Sequence, residues 1–240
     1  MAYTGYIRLE ADPHGTVNEP TNFSRVAHVL MLLCLLLAVV ACEKEKSFDE
    51  YLATARQHIA NSEHQQALVD LKGALRQDGQ SGEARWLLGQ AYLLSGDPAS
   101  AEKELRKALA LGRDPNAVIP PLTAALRSTA PYRQVLELQD TGLASAAKAE
   151  LLAGKALAHK ATGDRYQARA LVDQALELAP ESTAALLARA RILVGERDFA
   201  AAQLILEQVL YSEEANQAAW SLMGDADVGL KQFELALAAY

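Results

Sequence analysis

The chain has 240 residues and a mass of 25.9 kDa, with half of its residues apolar, 22% charged and 6% aromatic. Forty-six residues are alanine, the best helix former and a poor strand former, which argues against an all-β fold. A net charge of −7 and a pI near 5.3 argue against a nucleic-acid partner. Two cysteines and five scattered histidines supply neither a disulfide framework nor the spacing of a metal site.

Residues 1–24 read as an N-terminal extension. Its Glu10, Asp12 and Glu19 outweigh Arg8, unlike a short basic leader, so it is either a start placed too far upstream or a genuine addition. Val29 to Ala41 is an unbroken apolar run. A transmembrane helix needs about 20 residues, more than this run supplies. It fits the core of a signal peptide over residues 25–41, with Arg25 and His28 before it. The run ends Val39-Val40-Ala41-Cys42 and switches at once to Glu43-Lys44-Glu45-Lys46-Ser47.

Small residues before a cysteine followed by charge resemble a bacterial lipobox. That resemblance implies cleavage between Ala41 and Cys42, diacylglycerol on the Cys42 sulfur and an acyl chain on its new amino group. Residues 42–47 then form a lipid-anchored tether, because two or more acyl chains hold a protein stably on a membrane. Cleavage would also remove Cys34, leaving no free thiol. In the sorting pattern of such lipoproteins, Glu43 favours the outer membrane, facing the periplasm. A plain membrane anchor or a buried helix with an incidental cysteine are the alternatives.

From residue 48 the chain is repetitive. Ala67-x3-Leu71-x2-Ala74 returns one period later as Ala101-x3-Leu105-x2-Ala108. It recurs as Ala168-x3-Val172-x2-Ala175 and, after the same step again, as Ala202-x3-Leu206-x2-Val209, and a last copy opens at Ala236. The interval from Ala101 to Ala168 falls one position short of two periods, so a fainter copy with one deletion lies between, marked by Tyr132 and Val135. A preceding helix carries its own markers: Tyr51, Ala55 and His58 in the first copy, Leu88, Gly89 and Tyr92 in the second, Trp220 and Gly224 in the last. Gly96-Asp97-Pro98, Gly163-Asp164 and Gly195-Glu196-Arg197-Asp198 read as the intervening turns, with Asp97 as N-cap and Pro98 at the first helical position.

This pattern resembles the tetratricopeptide repeat and implies an all-α fold, an α-solenoid of about six helix-turn-helix hairpins over residues 48–240. The third hairpin is degenerate. Tyr240 falls within the second helix of the sixth, which reads as the front part of a longer protein with an uncovered apolar end. The lipobox followed by FDEYLATARQHIANSEHQQALVDLKGALRQ and EARWLLGQAYLLSGDPASAEKELRKALALG is similar to the tetratricopeptide lipoprotein of the exosortase (PEP-CTERM) system. The degenerate stretch VIPPLTAALRSTAPYRQVLEL is similar to one in the same place in that family. The resemblance implies a role in exopolysaccharide export or protein sorting, with no enzymatic activity.

Arrays of this kind bind partners along a concave face lined by first helices. Projecting the repeat phase, the inward positions include Arg56, Trp86, Gln90, Lys160, Arg191 and Asp225. Trp86 stands one residue past the usual packing position, so it is either a peptide anchor in the groove or an interhelical filler. Arg56, Lys160 and Arg191 either pair with an acidic peptide or a C-terminal carboxylate, or keep a solvated face soluble. The Lys and Asn clamp of the chaperone-binding branch is absent, its positions reading Leu52 and Arg56, Trp86 and Gln90, then Ala153 and Leu157.

His58 and His159 share a packing phase and read as structural. Glu102-Lys103-Glu104 and Glu213-Glu214 read as surface charges. No catalytic residue, metal or cofactor is expected. The expected contacts are a protein or peptide in the groove and a membrane through Cys42. Two rivals remain: a substrate-presenting part of a longer envelope enzyme, and a cytoplasmic adaptor.

Overall fold

The structure, a computed structural model, describes residues 46–129 and 132–240; Cys42 and the segments before it lie outside the described residues. The described chain is one unit of twelve helices without a strand. In chain order they are α1 (Phe48–Ala60), α2 (His64–Gln77), α3 (Gly82–Leu94), α4 (Pro98–Ala110), α5 (Pro115–Thr129) and α6 (Tyr132–Glu137). Then follow α7 (Ser145–Ala161), α8 (Arg165–Leu178), α9 (Thr183–Glu196), α10 (Phe199–Ser212), α11 (Gln217–Gly229) and α12 (Phe233–Ala239). They pair as six antiparallel hairpins. No described helix is long and apolar enough to cross a membrane.

The repeat signature is the packing code. Ala67, Leu71, Ala74, Ala101, Leu105, Ala108, Ala168, Val172, Ala175, Ala202, Leu206 and Val209 are all fully buried. Alanine and glycine bring the helices of a hairpin together, and the larger residue fills the gap to the next one. At Gly89 an added Cβ would stand 2.5 Å from Leu105 Cγ, so that crossing requires glycine. Burying each signature leucine contributes about 1.5–3 kcal/mol, which is why a chain poor in aromatic residues still closes its core.

The hairpin ends are encoded as locally as the core. Ser81, Ser182 and Asn216 cap α3, α9 and α11 by accepting a backbone N–H, and Asp97, Asp164 and Asp198 do the same for α4, α8 and α10. Ser47 and Glu50 form a reciprocal capping box at α1. The turn inside five of the hairpins holds one residue in the left-handed region, at Ser62, Gly96, Gly163, Arg197 and Lys231. Gly195 and Glu196, expected in a turn, lie instead within α9, and Arg197 makes the reversal.

The third hairpin departs from the pattern. Helix α5 runs 15 residues with Pro120 and Pro121 inside it, and α6 has only 6. Of its two expected markers, Val135 is fully buried and Tyr132 is exposed. Each first helix packs on the first helix of the next hairpin and each second helix packs on it too, while among the described second helices α4 and α6 are joined by the Arg106–Gln134 hydrogen bond at 2.7 Å. The first helices therefore form the inner face of the curve and the second helices its outer face.

Candidate functional site

The inner face holds a cavity of about 920 Å³ between α5, α7, α9 and α11. Its floor includes Leu157, Leu187 and Ala188, and Arg127, Arg191 and Glu150 stand in its walls. A smaller hollow of about 240 Å³ shares Arg127, Leu157 and Arg191 and adds Tyr132 and Lys160. The two form one groove across four hairpins.

Arg127 and Lys160 sit in the last turns of inner helices, where the helix dipole favours cations, and Arg191 stands earlier on α9. None of the three has a carboxylate or other acceptor within hydrogen-bond distance among the described residues. Burial lowers the proton affinity of the Arg127 guanidinium, and the like charge of Arg191 acts in the same direction. Lys160 reaches the groove by passing its stem against Gly195, where an added Cβ would lie 3.0 Å from Lys160 Cε. Gly195 thus serves the groove lysine rather than a turn.

The opposite end of the cavity is acidic and hydroxylic. Burial pushes the Glu150 carboxyl above its ordinary value. Glu213 accepts from the Thr183 hydroxyl at 2.6 Å and from Asn216 Nδ2 at 2.7 Å, and these bonds, Thr183 first, hold its carboxyl below the usual range. The groove is therefore charged at both ends, cationic where the inner helices end and anionic where they begin.

The remaining inward positions are already engaged or bare. Arg56 pairs with Glu83 at 3.1 Å, and Glu83 also binds Arg113 at 2.9 Å. The Arg113 guanidinium lies 4.6 Å from the Trp86 ring centre, and the indole N–H donates to the Ala117 carbonyl at 2.9 Å. Trp86 is half-buried and packs against the cores on either side of it. Gln90 is half-buried without a hydrogen bond among the described residues, and exposed Asp225 accepts from the Tyr240 hydroxyl at 2.8 Å. Of the projected residues, Lys160 and Arg191 meet in one place.

Two histidines close hairpin turns. His58 Nδ1 lies 2.5 Å from Glu63, and His159 Nδ1 lies 3.4 Å from Asp164, each histidine pairing across its own turn. Among the described residues no cluster of three or more His, Cys, Asp or Glu is placed to hold a metal ion.

Glu104 corrects the reading of Glu102-Lys103-Glu104 as surface charges. It is buried, bound by Arg85 at 2.6 Å and Lys107 at 3.0 Å. Burial pushes its carboxyl up, but the two cations outweigh that and hold it below the ordinary value. Asp70 is buried one period earlier, held by Lys46 at 2.9 Å and Thr54 at 2.7 Å. Sequence reading missed Arg127, because the deletion in the third copy removes the phase by which inward positions are counted, and it missed Glu150, whose burial depends on neighbouring helices.

Residues 58–119 and 149–182 each match a tetratricopeptide-repeat family profile. Such repeats are typically non-catalytic scaffolds. No curated protein matches the chain. Among solved structures, Pseudomonas aeruginosa pilF is 20% identical with a TM-score of 0.56, covering 80% of this chain and 88% of its own. PilW, described as a widely conserved type IV pilus biogenesis factor, is 16% identical with a TM-score of 0.57, covering 80% of this chain and 90% of its own. A tetratricopeptide-repeat protein from Parabacteroides merdae is 14% identical with a TM-score of 0.52, covering 80% and 77%. Residues 58–119 and 149–182 thus carry tetratricopeptide repeats, and the described chain folds as an all-α solenoid of stacked hairpins like those structures.

Proposed function

We propose that the protein is a membrane-anchored scaffold of a bacterial envelope assembly, one that exports exopolysaccharide or sorts proteins, with its partner seated on the inner face. The observation that carries the scaffold reading is the groove across four hairpins, with an aliphatic floor and charged walls. Concave sites of this kind, apolar with a few convergent polar groups, are where ligands settle. The anchor rests on the residues around Cys42, namely the short apolar run, the small residues up to Ala41 and the charge that follows. The envelope pathway rests on the similarity of residues 42–240 to the exosortase-system lipoprotein. Two of the structural likenesses, pilF and the pilus biogenesis factor PilW, carry the same fold.

Two measurements test this. Intact mass spectrometry of the chain made in a Gram-negative host should give a mass lacking residues 1–41 and carrying three acyl chains, and Cys42→Ala should leave the membrane. An unmodified full-length mass would sink the anchor. A photo-reactive residue at Leu187 should crosslink a protein in envelope preparations, and one at Leu204, exposed on α10, should not. Equal crosslinking at both would remove the groove as the contact face.

A further inference from the structure

The inner face treats its cations in two ways. Toward the N-terminal end, Arg56 and Arg113 share the Glu83 carboxylate. Further along, Arg127, Lys160 and Arg191 converge on one hollow with none among the described residues. In a chain of net charge −7, carboxylates are plentiful, so this bare cluster stands out. Holding like charges together over partly buried ground is unfavourable unless an anion joins them. Beside the cluster the floor is aliphatic, formed by Leu157, Leu187 and Ala188. Across the cavity, Glu150 and Glu213 would repel a second anion.

We propose that this edge of the groove receives an acidic segment of a partner polypeptide. An Asp or Glu carboxylate sits among Arg127, Lys160 and Arg191, and an adjoining aliphatic side chain lies on Leu157 and Leu187. The proposal rests on the groove-binding reading above and adds the partner's chemistry and direction. An acid at one end and a bare or cationic residue at the other is the one orientation the charges accept. The aliphatic floor is what selects a polypeptide over an anionic polysaccharide. Charged hydrogen bonds to carboxylate give both strength and orientation, since arginine binds in a planar fork.

The test uses the full chain and a library of random nonapeptides. Peptides retained by the protein should be enriched in Asp or Glu next to Leu, Ile or Val, and the enrichment should vanish with Arg127→Gln combined with Arg191→Gln. For one retained peptide, Arg191→Gln alone should weaken binding about ten-fold, as expected for loss of a charged hydrogen bond. Replacing the peptide's carboxylate by amide should cost a similar factor. Arg191 is exposed, so its variant reports on binding even where Arg127→Gln disturbs folding. A retained pool without acid enrichment, or one unaltered by the double change, overturns the proposal. So does a polyuronate that binds while no peptide does. If Leu187 still crosslinks a protein while the arginine changes have no effect, this inference fails and the scaffold reading stands.

Discussion

The second and third hairpins teach opposite lessons about how a repeat is used. In the second, α3 and α4 are regular helices of 13 residues each. The turn between them holds a left-handed glycine, and Arg85 and Glu83 are neutralised within the array. In the third, two prolines lie inside α5, the return helix shrinks to 6 residues, and Arg127 is left without a counter-charge among the described residues. The regular hairpin is self-sufficient. The irregular one exchanges regularity for a half-buried cation that faces a cavity.

Core truncation should separate the two most sharply. Leu105→Ala, at a fully buried signature position of the second hairpin, should lower stability by about 2–5 kcal/mol. Val135→Ala in the short helix should cost about 1–2 kcal/mol, because fewer methyl groups are lost. Urea midpoints compare the two, and equal losses would mean that the short helix carries as much of the fold as a full one.

A close approach should come next. Gly154 of α7 packs against the Thr123 side chain of α5, with no room for a Cβ. Gly154→Ala should destabilise by about 1–3 kcal/mol through overpacking, and Thr123→Ala should relieve much of that. A double-mutant cycle reads the coupling directly, and additive losses would show that the two residues do not share that contact.

Two glutamates sharpen the comparison through pH, with opposite signs. Glu104 has its carboxyl held low, so its stabilisation is complete above the ordinary glutamate value and fades as pH falls through the lowered one. Glu104→Gln should therefore destabilise at pH 7 and matter progressively less in acid. Glu150 has its carboxyl held high by burial, so its penalty is absent below the ordinary value and complete above the raised one. Glu150→Gln should raise the urea midpoint at pH 7 and leave it unchanged at strongly acid pH. A destabilising Glu150→Gln at pH 7 would reveal a cation bound to that carboxylate in solution.

The smallest effect concerns the turns. Arg197 occupies the left-handed region that Gly96 and Gly163 take in equivalent turns. Arg197→Gly should stabilise by about 0.5–1 kcal/mol, the relief of backbone crowding less the added freedom of the unfolded chain. Thermal melts of this variant against Gly96→Ala, which should lose a comparable amount, place the two turns on one scale.

The regular hairpins were legible because their code is local and steric. A small residue, three spacers, a large one and another small one can satisfy only a tight helix crossing, and the twelve signature positions at full burial follow from that rule. Asp97 and Pro98 were readable for the same reason, since cap and first-turn chemistry depend on neighbours alone. Glu104 was not readable, because its burial depends on Arg85 arriving from another helix. Arg127 was hidden differently: one deleted residue and two prolines erase the counting frame in the hairpin that carries it. Lys160 and Arg191 lie in regular hairpins, so the frame found them.

Each junction of the array has two lines of contact, because the second helix and the first helix of one hairpin both pack on the first helix of the next. Wedged in this way, each first helix can shift only together with its neighbours, so a change in groove width is shared among several junctions. Tension along the chain would be taken up by small rotations at each junction rather than by loss of any single hairpin. A ligand spanning three hairpins would brace those junctions and turn a compliant segment into a rigid one.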